Sequence, residues 1–244
     1  MNRYYYDLHI HSCLSPCADN DNTPNNIAGM GQLAGLQIMA LTDHNTCRNC
    51  PAFFKAAKKY GIIPIAGMEL TTAEDIHMVC LFETLEQAMA FDAYVATRRV
   101  LIPNRRDIFG DQLILDENDE LIEEEAYLLS NATDISVDES VELADRFGGV
   151  CYPAHIDRDA NGIIAVLGDL PAETPFACME FHDGDNIPAY ETRYQLPPRV
   201  VVSSDAHYLW DIRDKQNYVD IDDEPYSSAL VRERFIQWLR GARA

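Results

Sequence analysis

The chain has 244 residues, 47% of them apolar, enough for one large core, and its 19 Lys+Arg against 40 Asp+Glu give a formal net charge of −21. That charge repels a polyanion and disfavours stable, non-specific nucleic-acid binding. It leaves room for a small phosphate ester, or a nucleic-acid end, held through a bound cation that inverts the local field.

The start, MNRYYYDLHI, has no continuous apolar run, and no stretch approaches the ~18 apolar residues of a membrane span. With neither leader nor span, the seven cysteines are expected to be reduced thiols in the cytoplasm. The expected organisation is one domain over 1–244, with an insertion or cap at about 98–125.

Strand-like runs follow in order: YYYDLH (4–9), QIMALTD (37–43), IIPIAGMEL (62–70), IHMVCLF (76–82), GVCYPAH (149–155), ACMEFH (177–182), RVVVSSD (199–205) and NYVDID (217–222). Helical patterns lie between most of them. TPNNIAGMGQLAGL opens on a Thr-Pro entry signal, and CPAFFKAAKKYG closes on lysines and a glycine stop. TLEQAMAFDAYVATRR, SVDESVELADRFGG and the closing SSALVRERFIQWLRG are amphipathic. Strands alternating with helices imply βαβ units and a largely parallel sheet. Residues 98–125 break this rhythm, and QLILDENDELI within them reads as a hairpin.

One connection is too short for the scheme. Only residues 70–76 separate Glu69 from His77, and a parallel crossover needs about a dozen residues or more. These strands should therefore form a hairpin, which returns His77 to the rim where Glu69 ends.

Residues i and i+2 of a strand share a face, so His9 and His11 in DLHIHS face one point. The motif TDH puts Asp43 and His44 at the end of the second strand, Glu69 ends the third, His155 ends VCYPAH, and SSDAH supplies Asp205 and His207. In an α/β barrel, side chains beyond the strand C-termini gather at one face. His9, His11, His44, Glu69, His77, His155, Asp205 and His207 are too many ligands for one zinc, which takes roughly four. They suit two or three divalent ions sharing a bridging carboxylate. His182, the remaining histidine, follows CMEF in the same strand-end manner and is expected to line the pocket.

DLHIHS, LTDHN, GMEL…H, PAH and SSDAHY, spread over residues 7–208, resemble the ordered motifs of the polymerase and histidinol phosphatase (PHP) family. The resemblance implies a distorted (β/α)7 barrel with a trinuclear site that hydrolyses phosphate esters. It implies that His9, His11, Glu69 and Asp205 hold one metal, that Glu69 bridges to a second completed by His77 and His155, and that His44 and His207 hold a third. The third site needs one more ligand, and SCLSPCADND offers Cys17, with the better spacing, or Asp19. A thiolate favours zinc and a carboxylate also suits manganese or iron, so the metal is Zn, Mn or Fe. Cys13, Cys17, Cys47 and Cys50 are a rival arrangement, a separate structural zinc or iron–sulfur site.

The chemistry expected is hydrolysis by a water that bridged metals activate, with Glu69, Asp205 and Asp43 as the carboxylates of the reaction. Asp43 either orients a ligand imidazole or caps its own turn. Arg158, three residues past His155, is the candidate phosphate fork. Arg98, Arg99, Arg105 and Arg106 form a basic island expected to be a solvated face, with a substrate clamp as the alternative. The substrate expected is a phosphomonoester or phosphodiester of a small metabolite or nucleotide. The competing functions are an exonuclease on short oligonucleotide ends and a metal-binding domain without turnover.

Overall fold

The computed structural model describes residues 1–171 and 176–242. In chain order the elements are β1 (Asn2–Asp7), α1 (Pro24–Leu33), β2 (Ile38–Leu41), α2 (Cys50–Tyr60), β3 (Ile63–Thr71), β4 (His77–Phe82) and α3 (Leu85–Ala96). The insertion contributes α4 (Arg106–Phe109), β5 (Leu113–Leu115) and β6 (Leu121–Glu124). The chain continues through α5 (Val137–Arg146), β7 (Gly149–Pro153), α6 (Ile163–Leu167), β8 (Cys178–Phe181), α7 (Ile187–Arg193), β9 (Arg199–Val202), β10 (Tyr218–Ile221) and α8 (Ser228–Leu239).

β1, β2, β3, β4 and β7 are hydrogen-bonded side by side, and β8 pairs with β9. A few contacts near the rim join the two sheets. Ile156 N–H donates to the Glu180 carbonyl on one side, and Ile10 bridges Ala206 in parallel on the other. The result is a curled, distorted barrel of seven strands, with β10 attached antiparallel to the outer edge of β1. β1, β2 and β3 run parallel, whereas β4 is antiparallel to both neighbours. The short connection forces this: Thr71 pairs with His77 and Glu69 with Val79, as a hairpin requires.

Period-two alternation sorts the strands into two apolar layers. Ile38, Ala40, Ile63, Ile65, Val79, Leu81, Tyr152 and Val201 fill the barrel interior, which Val231, Phe235 and Leu239 of α8 plug from below. Met39, Leu41, Met68 and Cys80 face outward, against Phe53, Ala56, Phe91 and Leu143 of the helices. Glu69 continues the inward series of Ile63 and Ile65, and His77 opens that of Val79 and Leu81. Both therefore look into the barrel just above its apolar filling. Gly67 lies in the same series, and a Cβ there would come within 2.7 Å of the Cys80 carbonyl, so β3 and β4 pack this closely only with glycine.

Helix ends follow the sequence signals. Thr23 accepts from Asn26 N–H at α1, Thr84 and Gln87 form a reciprocal cap at α3, and Gly61 ends α2 at φ 70°. Helices α4, α6 and α7 have 4, 5 and 7 residues, too short to show a period. The insertion reaches further than residue 125, because Arg99 bridges Thr133 and Pro103 bridges Tyr127. Its Ile114 and Leu129 cover Leu14 in the loop after β1. Among the described residues no helix is long and apolar enough to cross a membrane.

Candidate metal centre and adjoining clefts

Five imidazoles surround the buried Glu69 carboxylate. His77 Nδ1, His155 Nε2 and His9 Nε2 lie 2.8, 3.0 and 3.2 Å from Oε1, and His44 Nδ1 and His11 Nε2 lie 3.1 and 3.2 Å from Oε2. An ionised carboxylate offers about four acceptor positions, so these contacts cannot all be hydrogen bonds. His9 Nε2 and His11 Nε2 are also only 3.1 Å apart, and each is within 3.4 Å of Asp205 Oδ1. Lone pairs this close repel unless protons or cations lie between them.

Neighbouring groups decide which nitrogen of several rings is free. Glu180 Oε1, an acceptor only, takes the His9 Nδ1 proton at 2.7 Å, leaving Nε2 with its lone pair toward the cluster. Ser15 Oγ donates to Asp43 at 2.7 Å, so it accepts from His11 Nδ1 at 2.9 Å, and His11 Nε2 likewise faces the cluster. His207 Nδ1 donates to the Asp205 carbonyl at 2.8 Å. His44 Nδ1 is buried without a hydrogen-bond partner.

Three sets of side chains have ligand atoms close enough together for a cation: His9, His11, Glu69 and Asp205; His44, Glu69 and His77; and His11, His44 and His207. The donor types suit divalent metal, since neutral imidazole and carboxylate are common ligands for such ions. His155 and Asp205 adopt left-handed backbone angles, φ 26° and 53°. Such angles are unusual for residues other than glycine and concentrate at functional sites.

Without cations the electrostatics are in conflict. Burial pushes the His9 ring down, but the charges of Glu69, Glu180 and Asp205 outweigh it and hold the ring well above its ordinary value. Burial also pushes His11 down, yet hydrogen bonds to Asp205 and Glu69 carry it up to about 9. Burial and neighbouring histidines keep His44 well below its usual range, and burial with the His11 charge takes His207 down to about 4. Burial pushes Glu69 up, but the histidines, His77 foremost, hold it well below the carboxylate range.

The PHP domain model matches residues 7–191. The chain belongs to the PHP domain family. A 5'-3' exoribonuclease from Haemophilus influenzae is 32% identical over 112 residues, 44% of this chain and 39% of that protein. An error-prone DNA polymerase from Symbiobacterium thermophilum is 34% identical over 77 residues, 32% of this chain and 7% of the polymerase. The chain thus spans less than half the length of these curated relatives. In fold it is similar to the lesion-specific endonuclease EndoQ from Pyrococcus furiosus, with TM-score 0.62 and 19% identity over 99% of this chain and 56% of that one. A proposed metal-dependent phosphoesterase from Bifidobacterium adolescentis gives TM-score 0.58 and 16% identity, covering 96% of both chains.

The remaining candidates of this PHP domain take their places around the cluster. A cleft of ≈ 560 Å³ opens over it, lined by His44, Glu69, His77, His155, Asp205 and His207 together with Arg158 and Asn161. Arg158 pairs with Asp205 rather than with Asp157 or Asp159 beside it in sequence. Asp43 holds Ser12 and Ser15, and Ser15 Oγ in turn accepts from His11 Nδ1 at 2.9 Å and from the His44 N–H at 3.1 Å.

Cys17 lies in an adjoining cleft with His182, and neither Cys17 nor Asp19 belongs to a three-ligand set. The Asp19 carboxylate turns back to accept from Asp21 N–H at 2.8 Å, and it is His11 that completes the set of His44 and His207. The four loop cysteines are not gathered. Cys47 and Cys50 both direct Sγ at the Gly67 carbonyl, Cys13 directs its own at Leu113, and no set among the described residues contains a cysteine.

The arginine island is neutralised on the surface. Arg98 pairs with Asp134 and Glu139, Arg99 with Glu125, Arg105 with Asp107, and Arg106 with Asp111 and Glu124.

Sequence reasoning missed Glu180, Ser15 and Arg213. Glu180 had a faint signal, a lone acid inside the apolar run CMEF. Ser15, in an irregular loop, had none. Arg213 donates to the His182 carbonyl at 2.6 Å.

Proposed function

We propose that this chain is a metal-dependent hydrolase of phosphate esters, a single PHP-type domain over residues 1–244 working on a small phosphorylated substrate. One observation carries the reading: five ring nitrogens stand 2.8–3.2 Å from a single buried carboxylate. That donor arrangement is satisfied by cations, and it lies at the floor of an open cleft. His9, His11, Glu69 and Asp205 would hold one ion, Glu69 with His77, His44 and His155 a second, and His11, His44 and His207 a third. Zinc, manganese and iron all suit this donor set.

Ions bound there supply Lewis acidity toward phosphoryl oxygens and an acidified water for attack. The protein's own groups do the rest. Glu180 and the Asp43–Ser15 pair hold His9 and His11 in the tautomer that presents Nε2. Arg158, with guanidinium nitrogens beyond the one on Asp205, reaches into the cleft where phosphoryl oxygens would lie and offsets their charge. Apolar side chains beneath the cluster exclude water from below. A cytoplasmic setting with reduced thiols, the reading of the seven cysteines, belongs to the same proposal.

The test is metal-loaded and metal-stripped protein against a panel of phosphomonoesters and bis-aryl phosphodiesters, with metal counted per chain. Turnover that requires two or more ions per chain supports the reading. Bound metal with no turnover on any ester would favour the non-catalytic alternative. Turnover confined to short oligonucleotides would favour the exonuclease, a reading supported by the exoribonuclease relative and opposed by the net charge of −21.

A further inference from the structure

Beside the cleft over the cluster lies a second one of ≈ 500 Å³, lined by Arg158, His182, Ser204, Tyr208 and Arg213 among others. Arg158, Asp205 and His207 line both, so the two clefts adjoin across these three side chains. Arg213 is set apart from the basic island by its place in this cleft. The basic island of the insertion is paired throughout with carboxylates, whereas Arg213 makes no ion pair among the described residues. Its contacts are the His182 carbonyl, at 2.6 Å, and the His182 ring, at 3.1 Å from Nε2.

Two acids line this cleft, and both are engaged. Asp205 is held by Arg158 and the histidine cluster, and Asp211 accepts from Tyr208 N–H at 3.2 Å. Burial, and after it the charges of Arg158 and Arg213, hold the His182 ring below its usual value against the opposing charges of Asp205 and Asp157. At the rim, Tyr208 and Trp210 stack with centroids 4.8 Å apart and planes 14° off parallel, and Trp210 is 74% exposed. An exposed, stacked pair presents a flat face to a planar group.

We propose that this second cleft is a subsite for another anionic group of the substrate, carried on the leaving portion and received by Arg213 beside His182. The proposal rests on the phosphoesterase reading, since the scissile phosphate must occupy the neighbouring cleft. It narrows the substrate class to phosphate esters bearing a second anion across a short, flat or compact spacer. A guanidinium without a carboxylate partner is the group suited to such an anion, offering two parallel N–H donors. Arg158, half neutralised by Asp205, would separate the two anions and limit their repulsion.

The experiment compares phenyl phosphate with 4-carboxyphenyl phosphate, which differ by one carboxylate across the ring. The metal-loaded wild-type protein should prefer the carboxylated ester in kcat/KM. In Arg213→Met that preference should fall by about tenfold or more, the worth of one charge-assisted hydrogen bond, and Arg213→Lys should restore part of it. The same preference should appear in binding, measured by calorimetry with phenylphosphonate and 4-carboxyphenylphosphonate, which are not hydrolysed.

An identical ratio of kcat/KM in wild type and Arg213→Met, with both esters turned over, would overturn the subsite and leave the phosphoesterase reading intact. No turnover of either ester, with the phosphonate preference present and lost in Arg213→Met, would support the subsite and count against the hydrolase. No preference in either measurement overturns the subsite outright. Arg213→Lys guards against a mere folding defect in the methionine variant, because a structural loss would not return selectivity with charge.

Discussion

Replacing Glu180 tests whether the cluster is built for cations. Glu180 is 1% exposed, and its Oε1 accepts both from His9 Nδ1 at 2.7 Å and from His155 N–H at 3.2 Å. One oxygen thus fixes the ring of one candidate ligand and the backbone of another. Removing such a partner of a ligating histidine typically costs 10–100-fold in metal affinity, about 1.4–2.7 kcal/mol at 1.36 kcal/mol per decade.

Glu180→Gln keeps an acceptor and loses its charge, so it belongs at the lower end. Glu180→Leu removes the acceptor, frees the His9 tautomer and belongs at the upper end. A second effect has the opposite sign. Glu180 is among the charges that hold the His9 ring above its ordinary pKa, so without it a proton competes less well with metal for His9. That relief fades as pH rises, and the affinity deficit of both variants should widen between pH 7 and pH 9. The assay is metal titration against a competing chelator at both pH values, with thermal unfolding to confirm the fold. Wild-type affinity in both variants at pH 9 would refute the assignment of His9 Nε2 as a ligand atom.

Glu69→Gln, which removes the charge at the centre of five imidazoles, should release two metals per chain and most hydrolysis, read by elemental analysis and turnover; full metal content would sink the shared-carboxylate arrangement. His77→Ala should cost one ion while unfolding stays cooperative. Cys17→Ser and Asp19→Asn should each keep the full metal count, because neither side chain belongs to a three-ligand set; loss of one ion in either variant would return that residue to the third site.

Stability of the metal-free protein should fall as pH rises from about 6.5 to about 9. The folded state raises His11 to about 9 and so binds more protons than the unfolded chain over that window. Metal loading should abolish this limb of the curve, and its persistence would show that the metals do not meet His11. Finally, burial with the charges of Glu69, Asp205 and Asp43 pushes the Cys17 thiol up to about 12. The other six cysteines are buried, so alkylation of the metal-free protein at pH 8 should be confined to Cys17 and slow, and bound cations should speed it.

The strands were legible because their apolar runs are long and their ends are marked by chemistry. The β3–β4 hairpin was legible from chain length alone, since residues 70–76 cannot cross a sheet face. Helices α4, α6 and α7 were not, because short helices form through the packing of their surroundings rather than through a period of their own. In the site, spacing led to the strand-end residues and their number to a shared carboxylate, but the place of His11 in two sets had no sequence signal. Sequence spacing sent the search for a third-site ligand to Cys17 and Asp19, while the fold brings His11 within reach of two sets at once. Ser15 links His11 in its own loop to Asp43 after the neighbouring strand, and Arg213 meets His182 from a separate loop, and neither pairing has a period that a sequence displays.

The barrel closes between β9 and β1 without a full ladder. The Ile10–Ala206 bridge, with His11 N–H on the Ala206 carbonyl at 2.9 Å and Ser204 N–H on Asp7 at 3.0 Å, carries most of that seam near the rim. His9 and His11 stand on one side of it and Asp205 on the other. A cation held by these three would therefore act as a clasp, fastening the first stave to the last where backbone pairing is thin. Filling the site and closing the barrel then become one event, and the metal-free protein should breathe along this edge first. Amide exchange at His11, Ser204 and Ala206, whose N–H groups cross the seam, should slow on metal loading more than exchange in the well-paired β3–β4 hairpin.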